Sequence, residues 1–233
     1  MSRIALLALM LAVGVTSGAQ TPPQVPTALL GAAASDPKTF VHLLGEAKVP
    51  AGLEMRQGDF VRASNSPRQW APAQWTPDRL ARQQTVAVDR IVATFNEGHE
   101  GYRAAIVDGV VVVRPLPRGT SYLDSKPVSG AVAAHGLMRF AEKVFAPLDN
   151  HLDRPGGRAG SSIGTLGPPI DRGESVDVSI DATGRTVLEI LNAVARQAPG
   201  HPWLVVSSDT PSPRPDRFGF LHGQGTTSER PLN

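Results

Sequence analysis

One stretch of this chain, residues 174–208, constrains the fold more than any other, because it reads as a strand, a helix and a second strand in succession. Apolar residues at a 3.6-residue period define one face of its helix: Val187, Ile190, Leu191, Val194, Ala195 and Ala198. Thr186 and Glu189 have the spacing of a capping box, which predicts where the helix begins. Alternating residues precede the helix at 176–180, and an apolar run follows it at 203–206. A helix with such a stripe needs a small sheet to pack against.

The same order of elements occurs once earlier, around residues 85–115. An apolar stripe predicts its helix and consists of Val88, Ile91, Val92 and Phe95. Thr85 is a candidate N-cap for this helix, and Asp108-Gly109 predicts the two-residue turn of a following hairpin. Tyr102 and Trp203 are aromatic residues that open the strand after each helix. The sequence therefore predicts an α+β protein of two small domains, each a short mixed sheet packed against amphipathic helices in strand-helix-strand repeats.

Helix signals elsewhere complete the two units. Asp36-Pro37 predicts the N-cap and first position of a helix that Pro50 stops. A further helix is predicted from an apolar set of Leu137, Phe140, Ala141, Val144 and Phe145. Gly98 and Gly200 are placed to end the two repeat helices, Gly200 in a left-handed conformation.

The predicted domain division follows from these signals and from the proline and glycine content between them. Residues 20–35 form a proline-rich linker, 36–117 the first unit and 118–208 the second unit, with a glycine-rich loop at 150–173. Residues 209–233 are predicted to be a disordered, proline- and glycine-rich tail. An alternative for part of this tail is an extra edge strand formed by Phe218, Phe220 and Leu221.

The N-terminus has the features of an export signal. Arg3 precedes an apolar run at 4–15 that is too short to span a bilayer, and small residues at 17–19 offer a cleavage site. Residues 1–19 are therefore interpreted as a signal peptide, with the mature chain beginning near Gln20; a signal anchor is the alternative. We expect a periplasmic or secreted protein with no integral membrane segment in its mature chain.

Composition excludes several kinds of chemistry. The chain has no cysteine, so it has no disulfide, thiolate metal site, cysteine nucleophile or lipid-modified cysteine. Its 23 lysine and arginine residues nearly balance its 21 aspartate and glutamate residues, which argues against nucleic acid or an anionic membrane as the main partner.

No catalytic, cofactor-binding or metal-binding residue is assigned, and no cofactor is expected. The six histidines do not have the spacing that directs two imidazoles to one metal; they are His42, His99, His135, His151, His201 and His222. The most enzyme-like segment is residues 151–162, where His151 and Asp153 precede Ser161 and Ser162. Neither serine has the Gly-x-Ser-x-Gly context of a nucleophile elbow, and phosphate-binding glycine motifs are absent. An exported hydrolase that uses this loop remains the alternative function.

Residues 178–208 carry a recognisable signature, VSIDATGRTVLEILNAVARQAPGHPWLVVSS. Its strand, its Thr-x-x-Glu-x-Leu helix start and its aromatic return strand resemble the short N-terminal (STN) domain shared by outer-membrane secretins and TonB-dependent receptors. The chain is also similar to exported bacterial proteins with two diverged copies of this domain, residues 36–115 being the weaker copy. The resemblance implies a periplasmic interaction module and supplies no catalytic residues.

The resulting hypothesis is an exported, non-catalytic module that binds another envelope protein or a peptide. Small sheets with helices on one face leave strand edges open, and a strand from a partner would satisfy the N–H and C=O groups there. A scaffold subunit of an envelope assembly is a further alternative.

Overall fold

The computed structural model describes residues 23–65, 84–117, 121–126, 130–137, 140, 176–207 and 215–221. These residues form helices together with mixed β-sheet, so the α+β fold class is confirmed. None of the helices within these ranges has the length and apolar character that crossing a lipid bilayer requires.

The elements fall into three groups along the chain. The first group is β1 (Gln24–Pro26), α1 (Leu29–Ala32), α2 (Pro37–Glu46), β2 (Ala51–Arg56) and α3 (Gln57–Asn65). The second is β3 (Thr85–Ala87), α4 (Val88–Gly98), β4 (Tyr102–Val107), β5 (Val110–Pro115) and a 3₁₀ turn (Tyr122–Asp124). The third is β6 (Ala131–His135), β7 (Asp177–Asp181), α5 (Val187–Gln197), β8 (Trp203–Ser207) and β9 (Pro215–Phe220).

Five strands form one sheet in the order β4-β5-β2-β8-β9. The central strand β2 runs parallel to both neighbours, with Leu53 beside Val113 on one side and beside Leu204 on the other. β4 and β9 pair antiparallel at the two ends of this order. Because β2 belongs to the predicted first unit and β8 to the second, both units contribute to the same sheet, and the division into two domains is not confirmed.

Helices cover both faces of this sheet. On one face, Leu53 of β2 lies in a core with Phe40 of α2 and Phe95 of α4, whose rings stack with centroids 4.6 Å apart. On the opposite face, Trp203 of β8 lies in a second core with the apolar stripe of α5. Successive side chains along a strand point to opposite faces, so a parallel strand covered on both sides must be apolar almost throughout. The sequence of β8 meets this requirement, with residues 203–206 all buried.

α5 is the most deeply buried helix described, and residues 190–195 along it are all buried. The five-stranded sheet covers one side of it, and the antiparallel ribbon of β6 and β7 contributes Val132, Val178 and Ile180 to the same core. The predicted stripe of α5 is therefore buried as expected, but a second apolar layer also covers residues outside that stripe.

Two predicted helix starts are confirmed. The Asp36 side chain accepts hydrogen bonds from the N–H groups of Lys38 and Thr39, at 3.0 and 3.1 Å, and Pro37 is the first residue of α2. Thr186 and Glu189 form both halves of a capping box at the start of α5. These interactions involve residues three or fewer positions apart, which explains why the sequence alone predicts them.

Two other predicted helix boundaries are wrong. Thr85 lies in β3, and α4 begins at Val88 after Ala87, which makes no side-chain capping bond. α5 ends at Gln197, and Gly200 does not have a positive φ. Gly200 is instead a place of close approach, because a Cβ there would lie 2.6 Å from the Nζ atom of Lys48.

The hairpin between β4 and β5 is confirmed. Asp108 and Gly109 adopt φ values of 52° and 75°, as a two-residue turn with two left-handed residues requires. Nη1 of Arg196, near the end of α5, donates a 2.7 Å hydrogen bond to the Asp108 carbonyl oxygen, which ties the turn to the helix.

The linker predicted at 20–35 is wrong from residue 24 onward, because β1 and α1 form there. β1 pairs with β3, and Val25 and Leu29 are buried in the core that contains Phe40. Pro23 precedes this short strand and Pro26 is its last residue, and three residues are too few to give an alternating pattern.

The tail predicted as disordered at 209–233 contains an ordered strand. Residues 215–220 form β9, so the prediction is wrong there and the alternative edge strand is confirmed. Phe218 and Phe220 stand two positions apart, share one face and pack edge to face with centroids 5.3 Å apart. Burial of two aromatic rings outweighs the breaking tendency of the prolines before them.

Several predictions lie outside the described residues. These are the signal peptide at 1–19, the glycine-rich loop at 150–173 and most of the helix predicted around 137–145. Of that helix, Leu137 and Phe140 are described, and both are buried in the core around α5.

Candidate functional site

The hydrolase alternative depends on four residues of the segment at 151–162. His151, Asp153, Ser161 and Ser162 all lie outside the described ranges. This alternative therefore stays an untested prediction.

Two described histidines, His42 and His99, are packed within the fold. His99 stacks on Phe95 with centroids 4.0 Å apart, and its ring nitrogens lie 2.9 Å from the Phe95 oxygen and 2.8 Å from the Ser35 oxygen. Burial, helped by the charge of Lys38, lowers the pKa of His42 to about 4, so this ring is neutral at pH 7. Within the described ranges, no three His, Cys, Asp or Glu side chains converge closely enough to hold a metal ion.

The outer edge of β4 is the feature most suited to binding another chain. The Leu116 N–H donates to the Gly101 oxygen at 2.8 Å, which fixes the alternation of the antiparallel β4–β5 ladder. Tyr102, Ala104 and Ile106 therefore direct their N–H and C=O groups away from β5. These groups are the pairing positions that an added strand would use.

The side chain of Asn96 occupies the middle of this edge. Its Nδ2 donates to the Ala104 oxygen at 3.0 Å, and its Oδ1 accepts from the Ala104 N–H at 2.8 Å. One amide thus satisfies both backbone groups of Ala104, as a residue of a neighbouring strand would. Asn96 therefore covers the two backbone groups of Ala104 that an added strand would pair with.

A groove of about 390 Å³ lies between α4 and the β4 edge. The helix side is lined by Asp89, Val92, Ala93, Asn96 and Glu97, and the strand side by Arg103. We call this the α4–β4 groove. Its apolar centre and charged ends give it a surface on which a peptide can be both paired and oriented. Beside it, Ile106 is 40% exposed, which is unusual for isoleucine in a strand.

The start of β4 is held rigidly against α3. The Tyr102 hydroxyl donates to Asp59 at 2.7 Å and accepts from the Arg56 N–H at 3.3 Å. Burial and the hydrogen bond to Asp59 raise the pKa of Tyr102, so it is a neutral donor. Burial alone would raise the pKa of Asp59, but hydrogen bonds from Tyr102 and Arg62 outweigh it and lower that pKa. The edge strand therefore presents a fixed template.

A buried polar cluster lies at the carboxyl ends of the parallel strands β5, β2 and β8. Glu54 of β2 accepts hydrogen bonds from Nε of Arg114 at 2.7 Å, from Oγ of Ser121 at 2.6 Å and from Oγ of Ser207 at 2.8 Å. We call this the Glu54 cluster. It joins three strands and the segment that follows β5.

Sequence reasoning assigned no role to Asn96 or to the Glu54 cluster. Asn96 lies on the polar side of α4, and its contact with Ala104 depends on how the helix lies beside the strand. Glu54 alternates with apolar residues, and from sequence alone this pattern suggests a solvated position on a sheet that is covered on one side only. In the structure Glu54 is buried. A charged residue with apolar neighbours on both sides was nevertheless a usable signal.

Comparisons of the chain with protein-family models, with curated proteins and with solved structures find no match. The resemblance to the STN domain therefore stays a prediction.

Proposed function

We propose that this chain is an exported, periplasmic, non-catalytic module that binds an extended segment of another envelope protein by adding it as a strand to β4. The observation that carries the proposal is the pairing of the Asn96 amide with both backbone groups of Ala104, beside the α4–β4 groove. Strand addition to an exposed edge is a common mode of peptide recognition.

A partner strand that binds here replaces existing hydrogen bonds as well as forming new ones. A partner strand displaces the Asn96 side chain from Ala104 and supplies its own N–H and C=O to Tyr102, Ala104 and Ile106. Each exchanged hydrogen bond contributes only about 1 kcal/mol net, so the replacement of the amide costs little. Side-chain contacts in the groove then provide most of the affinity.

The charges of the groove indicate the composition of the bound segment. Asp89 and Glu97 are exposed on the helix side, whereas Arg103 lies on the strand side. A segment with basic side chains facing α4 and an acidic one near Arg103 complements this arrangement.

The export signal predicted at 1–19 and the STN resemblance support the envelope location. N-terminal sequencing of protein recovered from a periplasmic fraction should give a chain that begins near Gln20. Recovery of the intact N-terminus in the cytoplasmic fraction would contradict export.

The binding mode can be tested through backbone groups alone. Ile106→Pro removes an N–H that faces away from β5, a position where an edge strand tolerates proline. Ile106→Ala is the matched control, since it removes the exposed side chain but keeps the N–H. In quantitative pull-downs from envelope extract, we expect Ile106→Pro to lose the partner, Ile106→Ala to keep it in part, and Asn96→Ala to capture more of it.

Hydrogen exchange of the recovered complex provides the direct readout. The amide of Ile106 should become protected in the complex, because it pairs with the added strand. Retention of the same partner by the wild-type protein and by Ile106→Pro would contradict strand addition at β4.

A further inference from the structure

The guanidinium group of Arg114 has more donors than its surroundings satisfy. Arg114 is 9% exposed, and its Nε donates to Glu54 at 2.7 Å. Its Nη1 lies 3.5 Å from Oδ1 of Asp124, whereas its Nη2 is fully buried without a hydrogen-bond partner in the part of the chain that the structure describes. A buried, charged donor in this state is costly and needs an explanation.

Glu54 accepts a hydrogen bond from Nε of Arg114 and from neither of its Nη atoms. Its two carboxylate oxygens already accept from Arg114, Ser121 and Ser207, so the cluster is complete on the acid side. The two Nη atoms form a planar fork, which matches the two oxygens of a carboxylate.

Three features of the surroundings favour a ligand at the fork. It lies at the carboxyl ends of parallel strands, where sheets of this kind commonly bind ligands. Asp124 is a poor permanent partner, because its side chain is 44% exposed and 3.5 Å is long for a charge-assisted hydrogen bond. Arg56, two positions after Glu54 on β2, lies on the same face and adds positive charge; its Nη2 donates to the Leu116 oxygen.

From this geometry we infer that the Nη1–Nη2 fork of Arg114 binds the carboxylate group of a small molecule, which displaces the exposed Asp124 side chain and thereby gains access to the buried Nη2. This site is separate from the α4–β4 groove and does not depend on the proposed function. Glu54 is a positioning residue, since it holds the guanidinium without reaching the ligand, and Ser121 and Ser207 in turn hold the Glu54 carboxylate.

The test measures the melting temperature of the full mature protein against succinate concentration, with sodium chloride at equal ionic strength as reference. Inorganic phosphate is the second probe. We expect succinate to raise the melting temperature saturably. Asp124→Asn should lower the apparent Kd by about threefold to tenfold, because it removes a competing negative charge. Glu100→Gln, an exposed acid elsewhere, should leave the Kd unchanged.

Arg114→Lys keeps the charge and removes the fork, so the succinate response should disappear. If this variant does not fold, the Kd values of Asp124→Asn and Glu100→Gln for succinate still test the inference. A wild-type response to succinate no larger than that to sodium chloride would overturn the inference, as would equal Kd values for Asp124→Asn and wild type. A saturable response to phosphate but not to succinate would overturn the carboxylate assignment.

Discussion

At the scale of single residues, the packing of Trp203 depends on Gly52. The two residues lie side by side on β8 and β2, and the indole crosses above the glycine. A Cβ at position 52 would lie 1.9 Å from Cε2 of Trp203, far inside van der Waals contact. Glycine is required here by the neighbouring ring, because Gly52 does not have a positive φ.

Gly52→Ala should therefore lower the free energy of unfolding by about 1–3 kcal/mol, the usual cost of overpacking a core. Gly98→Ala is the matched control, since a Cβ at the end of α4 meets nothing within 4 Å. It should be neutral or stabilise by up to about 1 kcal/mol, because alanine restricts the unfolded chain. Urea unfolding monitored by circular dichroism measures both. Equal effects of the two substitutions would contradict this account of Trp203 packing.

At the scale of elements, the start of α5 is fixed by reciprocal hydrogen bonds. The Thr186 N–H donates to Oε2 of Glu189 at 2.6 Å, and the Glu189 N–H donates to Oγ1 of Thr186 at 3.3 Å. Two hydrogen bonds lower the pKa of Glu189: the larger effect comes from the Thr186 backbone N–H and the smaller from the Thr186 hydroxyl. The folded state thus favours the ionised carboxylate.

Because the folded pKa of Glu189 is lowered, its contribution to stability is present above the unfolded value of about 4.3 and is lost as the pH falls through the folded value. Glu189→Gln should therefore destabilise the protein more at pH 7 than at about pH 3. Thr186→Ala should cost about 1 kcal/mol at pH 7, as for other N-caps. Urea unfolding at both pH values gives the comparison.

Glu100→Gln serves as the control for this pH series, since Glu100 is exposed and lies outside any described helix. Titration of His42 is common to all the variants and cancels in differences from the wild type. A destabilisation by Glu189→Gln that is the same at both pH values would show that the charge has no part in capping.

At the scale of the whole molecule, the shared sheet makes the two predicted units depend on each other. β2 is paired with β5 on one side and with β8 on the other, and its two faces belong to two different cores. Unfolding of either core removes a layer that covers β2. The described part of the chain should therefore unfold in one cooperative step.

Denaturation curves from tryptophan fluorescence and from far-ultraviolet circular dichroism should coincide. Thr186→Ala lies at the start of α5 and Gly52→Ala on β2. For each variant, the fluorescence curve and the circular dichroism curve should shift together by the same denaturant concentration. Two separate transitions, only one of which responds to Thr186→Ala, would support two independent domains.

The candidate site was less predictable than the elements that form it. The sequence predicted α4, the strand of Tyr102 and the turn at Asp108-Gly109, and it predicted edge pairing as the mode of binding. It gave no means of choosing β4 as the edge or Asn96 as its occupant, because that contact depends on the lateral position of α4 beside the sheet. The same limit applies to Arg114, whose partners come from β2 and from the turn after β5.

By itself, the sequence determined the features that arise between close neighbours along the chain. The Asp36 cap, the Thr186–Glu189 box, the left-handed turn at residues 108 and 109 and the apolar stripe of α5 all depend on spacings of a few residues. Only the tertiary structure decided that β2 pairs with β8, that Glu54 is buried and that residues 215–220 form a strand. These features depend on which distant surfaces remove each other from water, and local periodicity carries no information about that choice.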